Sequence, residues 1–315
     1  MPSTLAAVHI RGQRGGRVRR GTVLADRVDP RRPMPSLGGG DVGRRGMYGG
    51  GADVRQTAAM SGYSRGARAL LLATAAIVTA GSLIASAPVA GAAQPLAGRV
   101  ITLDPGHNGG SAAHPEQLNR LVYAGGGVYK PCNAVGTETR GGYSEHAFTW
   151  DVANRVAELL RARGARVVFT RSSDTGVGPC VDVRPAIANR AGSDAVVSIH
   201  GDGNVAAGAR GFHVIEPVAP PVSAGVRTSS DRLARALRSA FRSTTGIPYA
   251  NYLAGGDGLD ARSDLGSLNL STRPVVFIEC GNMKSAADVA LMGSPAGRQR
   301  IAEGIRNGVA AFLRR

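Results

Sequence analysis

Three short apolar runs, each ending on a residue that can bind metal or move a proton, constrain this chain most. Val100-Ile101-Thr102-Leu103-Asp104 leads into Pro105-Gly106-His107. Ala195-Val196-Val197-Ser198-Ile199 leads into His200, and Val275-Val276-Phe277-Ile278 leads into Glu279. Near-continuous apolar runs of this length read as strands buried on both faces, as in a parallel sheet. Ligands of open α/β sheets sit outside the carboxyl ends of the strands. His107, His200 and Glu279 are therefore expected at one site, and two imidazoles with a carboxylate suit a zinc hydrolase.

Between the runs, apolar residues recur at helical spacing. Ser144 reads as the cap of a helix through Phe148, Val152, Val156, Leu159 and Leu160, stopping near Gly164. A short helix is expected from Asp182 or Val183 to Ala191. Another should open at Ser230 and run through Leu233, Leu237 and Phe241 to Gly246. A last one should start at Ser294-Pro295 and use Ile301, Ile305, Val309 and Phe312. Further strands are expected at Ala165–Thr170 and Gly211–Ile215. Strands alternating with helices predict an α/β fold: a single domain with a mostly parallel central sheet covered by helices on both faces. Residues 108–142 are Gly-rich, with few periodic apolar positions, and read as a long functional loop.

The chain has 315 residues, but the domain is expected only over 94–315. Residues 1–59 carry 11 Arg against 4 Asp without sustained apolar periodicity. They read as a disordered basic leader or an over-extended gene start, with Met60 a sensible alternative start. A basic arm for nucleic acid or membrane is the competing reading. Residues 60–93 have the layout of a secretory signal peptide. Arg65 and Arg68 precede an apolar run from Ala69 to Ala85, and small residues follow up to Ala93. The run is short for a membrane span, so cleavage is expected rather than a retained anchor. No cysteine follows closely enough for a lipid anchor.

Of the chain's net charge of +16, +7 belongs to residues 94–315. That moderate excess suits an anionic cell wall and does not by itself indicate nucleic acid. Export permits a disulfide among Cys132, Cys180 and Cys280. Three pairings are open. Cys132 and Cys180 lie in Gly/Pro-containing loops, whereas Cys280 ends an apolar strand, so the expected bridge is Cys132–Cys180.

An open zinc site takes three protein ligands and leaves a fourth position for water. His107 and His200 supply two. Glu145, in the first turn of the helix after the long loop, is a candidate third. Spacing alone does not separate it from an ordinary acid at a helix N-terminus, nor from Glu138, Asp202, His146 or His114. Glu279 is costly to bury without a partner. It is either an ion-pair partner for an arginine or a general base.

Leu103-Asp104-Pro105-Gly106-His107, Ser144-Glu145-His146, Thr170-Arg171-Ser172-Ser173-Asp174, Arg184 with Ala188-Asn189, Val197-Ser198-Ile199-His200 and Ile278-Glu279 resemble the zinc-dependent N-acetylmuramoyl-L-alanine amidases. The resemblance covers about residues 98 to 313. Gly178-Pro179-Cys180-Val181-Asp182, Gly211-Phe212-His213-Val214 and Gly281-Asn282-Met283-Lys284 look most like the actinobacterial peptidoglycan amidases. The resemblance implies zinc held by His107, Glu145 and His200, Glu279 as the catalytic glutamate, and cleavage of the amide between N-acetylmuramic acid and L-alanine. Where the family usually has Ser-x-His-x-Asn, this chain has Ser198-Ile199-His200-Gly201-Asp202. That departure bears on substrate preference. Arg184 could meet stem-peptide carboxylates or pack against Asp182 or Asp194.

The expected protein is thus a secreted monomeric hydrolase of peptidoglycan or muropeptides. No nucleic-acid partner and no stable membrane span after signal cleavage are expected. A zinc carboxypeptidase acting within the stem peptide, and a catalytically inactive wall-binding protein, are the rival readings.

Overall fold

The three apolar runs become adjacent strands in the middle of one sheet. β1 (Val100–Pro105), β5 (Ala195–Asp202) and β8 (Val275–Asn282) carry them. β4 (Arg166–Phe169) flanks β1, while β6 (His213–Pro217) and β7 (Leu259–Arg262) extend the sheet beyond β8. The order is β4-β1-β5-β8-β6-β7. β4, β1, β5 and β8 are mutually parallel, and β6 and β7 run against them as a parallel pair. The computed structural model describes residues 94–314, so the expected leader (1–59) and signal segment (60–93) lie outside the described residues.

Side chains alternate between the two faces of a strand. On one face Ile101, Leu103, Val197, Ile199, Val276 and Ile278 meet three long helices. These are α2 (Glu145–Arg161), α4 (Ala224–Thr245) and α7 (Pro295–Leu313). Phe148, Leu237 and Phe241 are fully buried there, each contributing about 1.5–3 kcal/mol relative to exposure. Gly308 lets α7 approach α4. A Cβ at that position would lie 2.6 Å from the Leu237 Cα.

The opposite face is covered by less. α3 (Val183–Ala191) and α5 (Gly266–Asn269) place Ala188 and Leu268 over Val196, Ile215, Val275 and Phe277. Helices therefore cover both faces, but this layer is thin and leaves a cleft. A short α6 (Ala286–Met292) leads into α7, whose cap is Ser294, with Oγ accepting from Gly297 N at 3.0 Å.

Two expectations change. α4 begins at Ala224, not Ser230, and its cap is Ser223. Residues 224–229 show the solvent a mostly polar surface and so carry no apolar stripe to announce the helix. Ser230 is buried and accepts from Val275 N at 3.0 Å. The 108–142 segment is not bare loop either. It holds α1 (Pro115–Asn119) and an antiparallel hairpin of β2 (Leu121–Tyr123) and β3 (Tyr129–Pro131). Strands of three residues are too short to show alternation. Val122 packs beneath the hairpin on the Cys132–Cys180 disulfide, and Cys280 is free and buried. Among the described residues no helix is long and apolar enough to cross a membrane.

Candidate functional site

The end of β1 is built around a buried carboxylate. Asp104 accepts from Thr170 Oγ1 (2.5 Å), Ser198 Oγ (2.6 Å) and Arg184 Nη1 (2.8 Å). Burial opposes its charge, but Arg184 and the two hydroxyls outweigh burial and hold the carboxyl below its ordinary range. Arg184 also donates to the carbonyls of Pro105 (2.9 Å), His107 (3.1 Å) and Pro179 (3.0 Å). It meets neither Asp182 nor Asp194. Asp194 instead pairs with Arg99.

These bonds fix an unusual backbone. His107 has φ of 58°, the only positive φ at a non-glycine among the described residues. Such a conformation costs on the order of 1–3 kcal/mol and persists only where its surroundings enforce it. Its Nδ1 lies 2.8 Å from the Ala134 carbonyl. A carbonyl only accepts, so Nδ1 donates, and Nε2 is the nitrogen that faces Glu145 at 3.1 Å.

Glu145 opens α2, whose N-terminus reaches over the ends of β1 and β5. Its Oε2 accepts from Thr137 N (2.9 Å) and its Oε1 from Gly201 N (3.1 Å). Oε1 also lies 2.9 Å from His200 Nδ1. The donor atoms of His107, Glu145 and His200 fall within 4.8 Å of one another. His200 stacks on Phe277, with ring centres 5.1 Å apart, and sits directly on Gly106. A Cβ at Gly106 would fall 2.2 Å from His200 Cε1. The other contenders lie outside this cluster. His146 bonds Asp174 at 2.8 Å, Glu138 and His114 are exposed, and Asp202 accepts from Tyr252 Oη at 2.7 Å.

The cluster fits a divalent metal of zinc's type. Two imidazole nitrogens and a carboxylate oxygen form a common catalytic donor set for that ion. Ligands at about 2.0–2.1 Å from a tetrahedral centre lie about 3.3 Å apart, close to the 2.9 Å from His200 Nδ1 to Glu145 Oε1 and the 3.1 Å from His107 Nε2 to Glu145 Oε2. Ala134 orients His107, and two backbone N–H groups orient Glu145, as outer-shell partners do at metal centres. Burial holds the His200 imidazole below its ordinary pKa, with Glu145 opposing. That favours the neutral form a ligand needs at His200, whereas at His107 burial is outweighed by Glu145, which raises the imidazole's pKa.

Glu279 stands on β8 as the register partner of His200 on β5. It lines one cavity of about 240 Å³ with His107, Glu145, His200 and Asp202. Burial first, then the carboxylates of Glu145 and Asp202, push its carboxyl well above the ordinary range. Its Oε2 is buried without a hydrogen-bond partner. Arg262 lines the same cavity, but its guanidinium donates to both oxygens of Asp264 at 2.8 Å. Sequence reasoning did not find the roles of Asp104 or Phe277. Asp104 offered a signal, being a carboxylate that closes a buried strand.

The family described as N-acetylmuramoyl-L-alanine amidase matches residues 101–311. An N-acetylmuramoyl-L-alanine amidase of Mycobacterium tuberculosis is 46% identical over 218 residues, which span 69% of this chain and 88% of the relative. The crystal structure of an N-acetylmuramyl-L-alanine amidase from Mycobacterium smegmatis aligns with a TM-score of 0.65 at 45% identity, over 69% of this chain and 98% of that one. The apo enzyme of that name from Mycobacterium abscessus aligns with the same TM-score at 44% identity, over 69% of this chain and all of its own. The chain belongs to the N-acetylmuramoyl-L-alanine amidase family.

Proposed function

We propose that this enzyme is an exported, zinc-dependent amidase that cuts peptidoglycan between N-acetylmuramic acid and L-alanine. In this reading His107, Glu145 and His200 hold the zinc, and Glu279 is the general acid and base. The observation that carries it is the convergence of three donor atoms within 4.8 Å, inside the family-matched segment, with Glu279 on the adjoining strand.

A zinc ion supplies Lewis acidity when bound, polarising the scissile carbonyl and lowering the pKa of water. The chain's own residues do the rest. Phe277 and Gly106 fix the His200 ring from two sides. Arg184 and Asp104 fix the His107 backbone. The Glu279 carboxylate accepts the proton of the attacking water and delivers it to the leaving nitrogen. Burial raises its pKa above the ordinary carboxylate range, the direction a group that both takes and returns a proton needs. The free amine then leaves on L-alanine.

Export is supported by the signal-like layout of residues 60–93 and by the Cys132–Cys180 bridge, since such bridges persist in oxidising compartments. Digestion of muropeptides with and without a chelator, read by mass spectrometry, tests the function. Intact stems with a new N-terminal L-alanine, lost on chelation and regained with zinc, are expected. Stems shortened at the D-alanine end would instead identify a carboxypeptidase. No product at all would identify a binding protein.

A further inference from the structure

Two buried polar atoms on neighbouring strands lack partners, and the sheet places their residues side by side. β6 runs against β8 so that His213 is the register partner of Glu279, opposite the side occupied by His200. Cross-strand partners project from the same face with Cβ atoms about 4.5–5.5 Å apart. That face is the thinly covered one, where Ile215 and Phe277 pair two residues along. His213 is buried, and both its Nδ1 and Glu279 Oε2 are buried without a hydrogen-bond partner. A buried polar atom left unpaired is costly and calls for a partner.

Asp202 and Asp260 act on the His213 ring by charge, but no neighbour bonds either orphaned atom. Tyr252 stands edge-on to the His213 ring with centres 6.3 Å apart, but its hydroxyl is committed to Asp202. Arg262 is committed to Asp264. In this structure the two atoms do not bond each other, and one bridging water or a small turn of either side chain satisfies both at once.

We propose that His213 is a positioning residue whose Nδ1–H donates to the Glu279 carboxylate and aims it at the His107–Glu145–His200 cluster. Its activity readout rests on the amidase reading, whereas the pairing itself does not. His213→Phe keeps a ring and removes the donor, and His213→Gln keeps a donor. Loss of one hydrogen bond to a charged group should lower kcat about 10- to 100-fold, with KM and bound metal unchanged. His213→Gln should recover most of that loss.

A second measurement needs neither turnover nor a folded His213 variant. In the imidazole 15N spectrum of the purified protein, the His213 Nδ1–H signal should move in Glu279→Ala, while that of exposed His114 should not. Wild-type kcat in His213→Phe, or a His213 signal unmoved by Glu279→Ala, overturns the inference. A wild-type protein that releases no stems refutes the amidase reading instead, and the spectrum alone then decides the pairing.

Discussion

Replacing Arg184 by Met should be among the most damaging single changes outside the proposed ligand set. Arg184 and Asp104 have side-chain exposures of 3% and 5% and lie 2.8 Å apart. Removing the guanidinium leaves a buried carboxylate uncompensated and strips donors from the carbonyls of Pro105, His107 and Pro179. Breaking one partner of a buried pair costs about 3–5 kcal/mol. With a urea m-value of about 3 kcal/mol/M, that moves the unfolding midpoint down by about 1–1.7 M. Asp104→Asn removes the orphaned charge while keeping an acceptor for Thr170 or Ser198. The double variant should therefore lose less than the sum of the singles. The pair also sets an acid limit. The folded pKa of Asp104 lies below its ordinary 3.8, so its stabilisation is complete above the unfolded value and is lost as pH falls through the folded one. Arg184→Met should flatten that acid limb. A midpoint within about 0.3 M of wild type, with the acid limb intact, would refute the argument.

Three further outcomes are expected. Glu279→Gln should keep metal and fold but lose about 10²–10⁴-fold in kcat, and bound zinc measured beside turnover separates a missing base from a missing ion. Gly106→Ala should displace the His200 ring, because the new Cβ would stand 2.2 Å from Cε1. Metal affinity should fall while far-UV circular dichroism is retained, and unchanged metal binding would show that the ring can move aside without consequence. Replacing Cys132 and Cys180 by Ser opens a loop with a sequence separation of 48 residues. The chain-entropy relation assigns that loop about 4 kcal/mol, to be read as a lower denaturation midpoint, with Cys280 still buried against thiol reagents.

Much of the fold was legible because burial on both faces leaves a mark that needs no partner to interpret. β1, β5 and β8 are almost continuously apolar, and their sequence ends coincide with the site. The α2 and α7 stripes at Phe148, Val152 and Val156 and at Ile301, Ile305 and Val309 are equally plain, since each faces one uninterrupted core. The start of α4 was hidden because its first two turns touch little. β7, with Leu259, Asp260, Ala261 and Arg262, is an edge strand only partly buried, and its sequence lacks the run that marks the central strands. The β2–β3 hairpin is too short for periodicity, and the disulfide rather than a local pattern holds it in place.

The site was legible to a different depth for each residue, and the sheet explains why. His107 follows β1, and His200 and Glu279 lie near the carboxyl ends of β5 and β8, all parallel strands, so a rule about carboxyl ends gathers them without tertiary information. Glu145 enters from the start of a helix, where acids are common for reasons unrelated to metals. Nothing in its spacing alone could separate it from Asp202 or His146. His213 was out of reach for a topological reason. In a wholly parallel sheet the first residue of a strand lies at the far edge from the ligands. β6 is reversed against β8, which carries its first residue to the catalytic rim beside Glu279. The strand order that exposes this switch is set by long-range pairing. A buried histidine at a strand start therefore takes on a role in the site only through the direction of its neighbour.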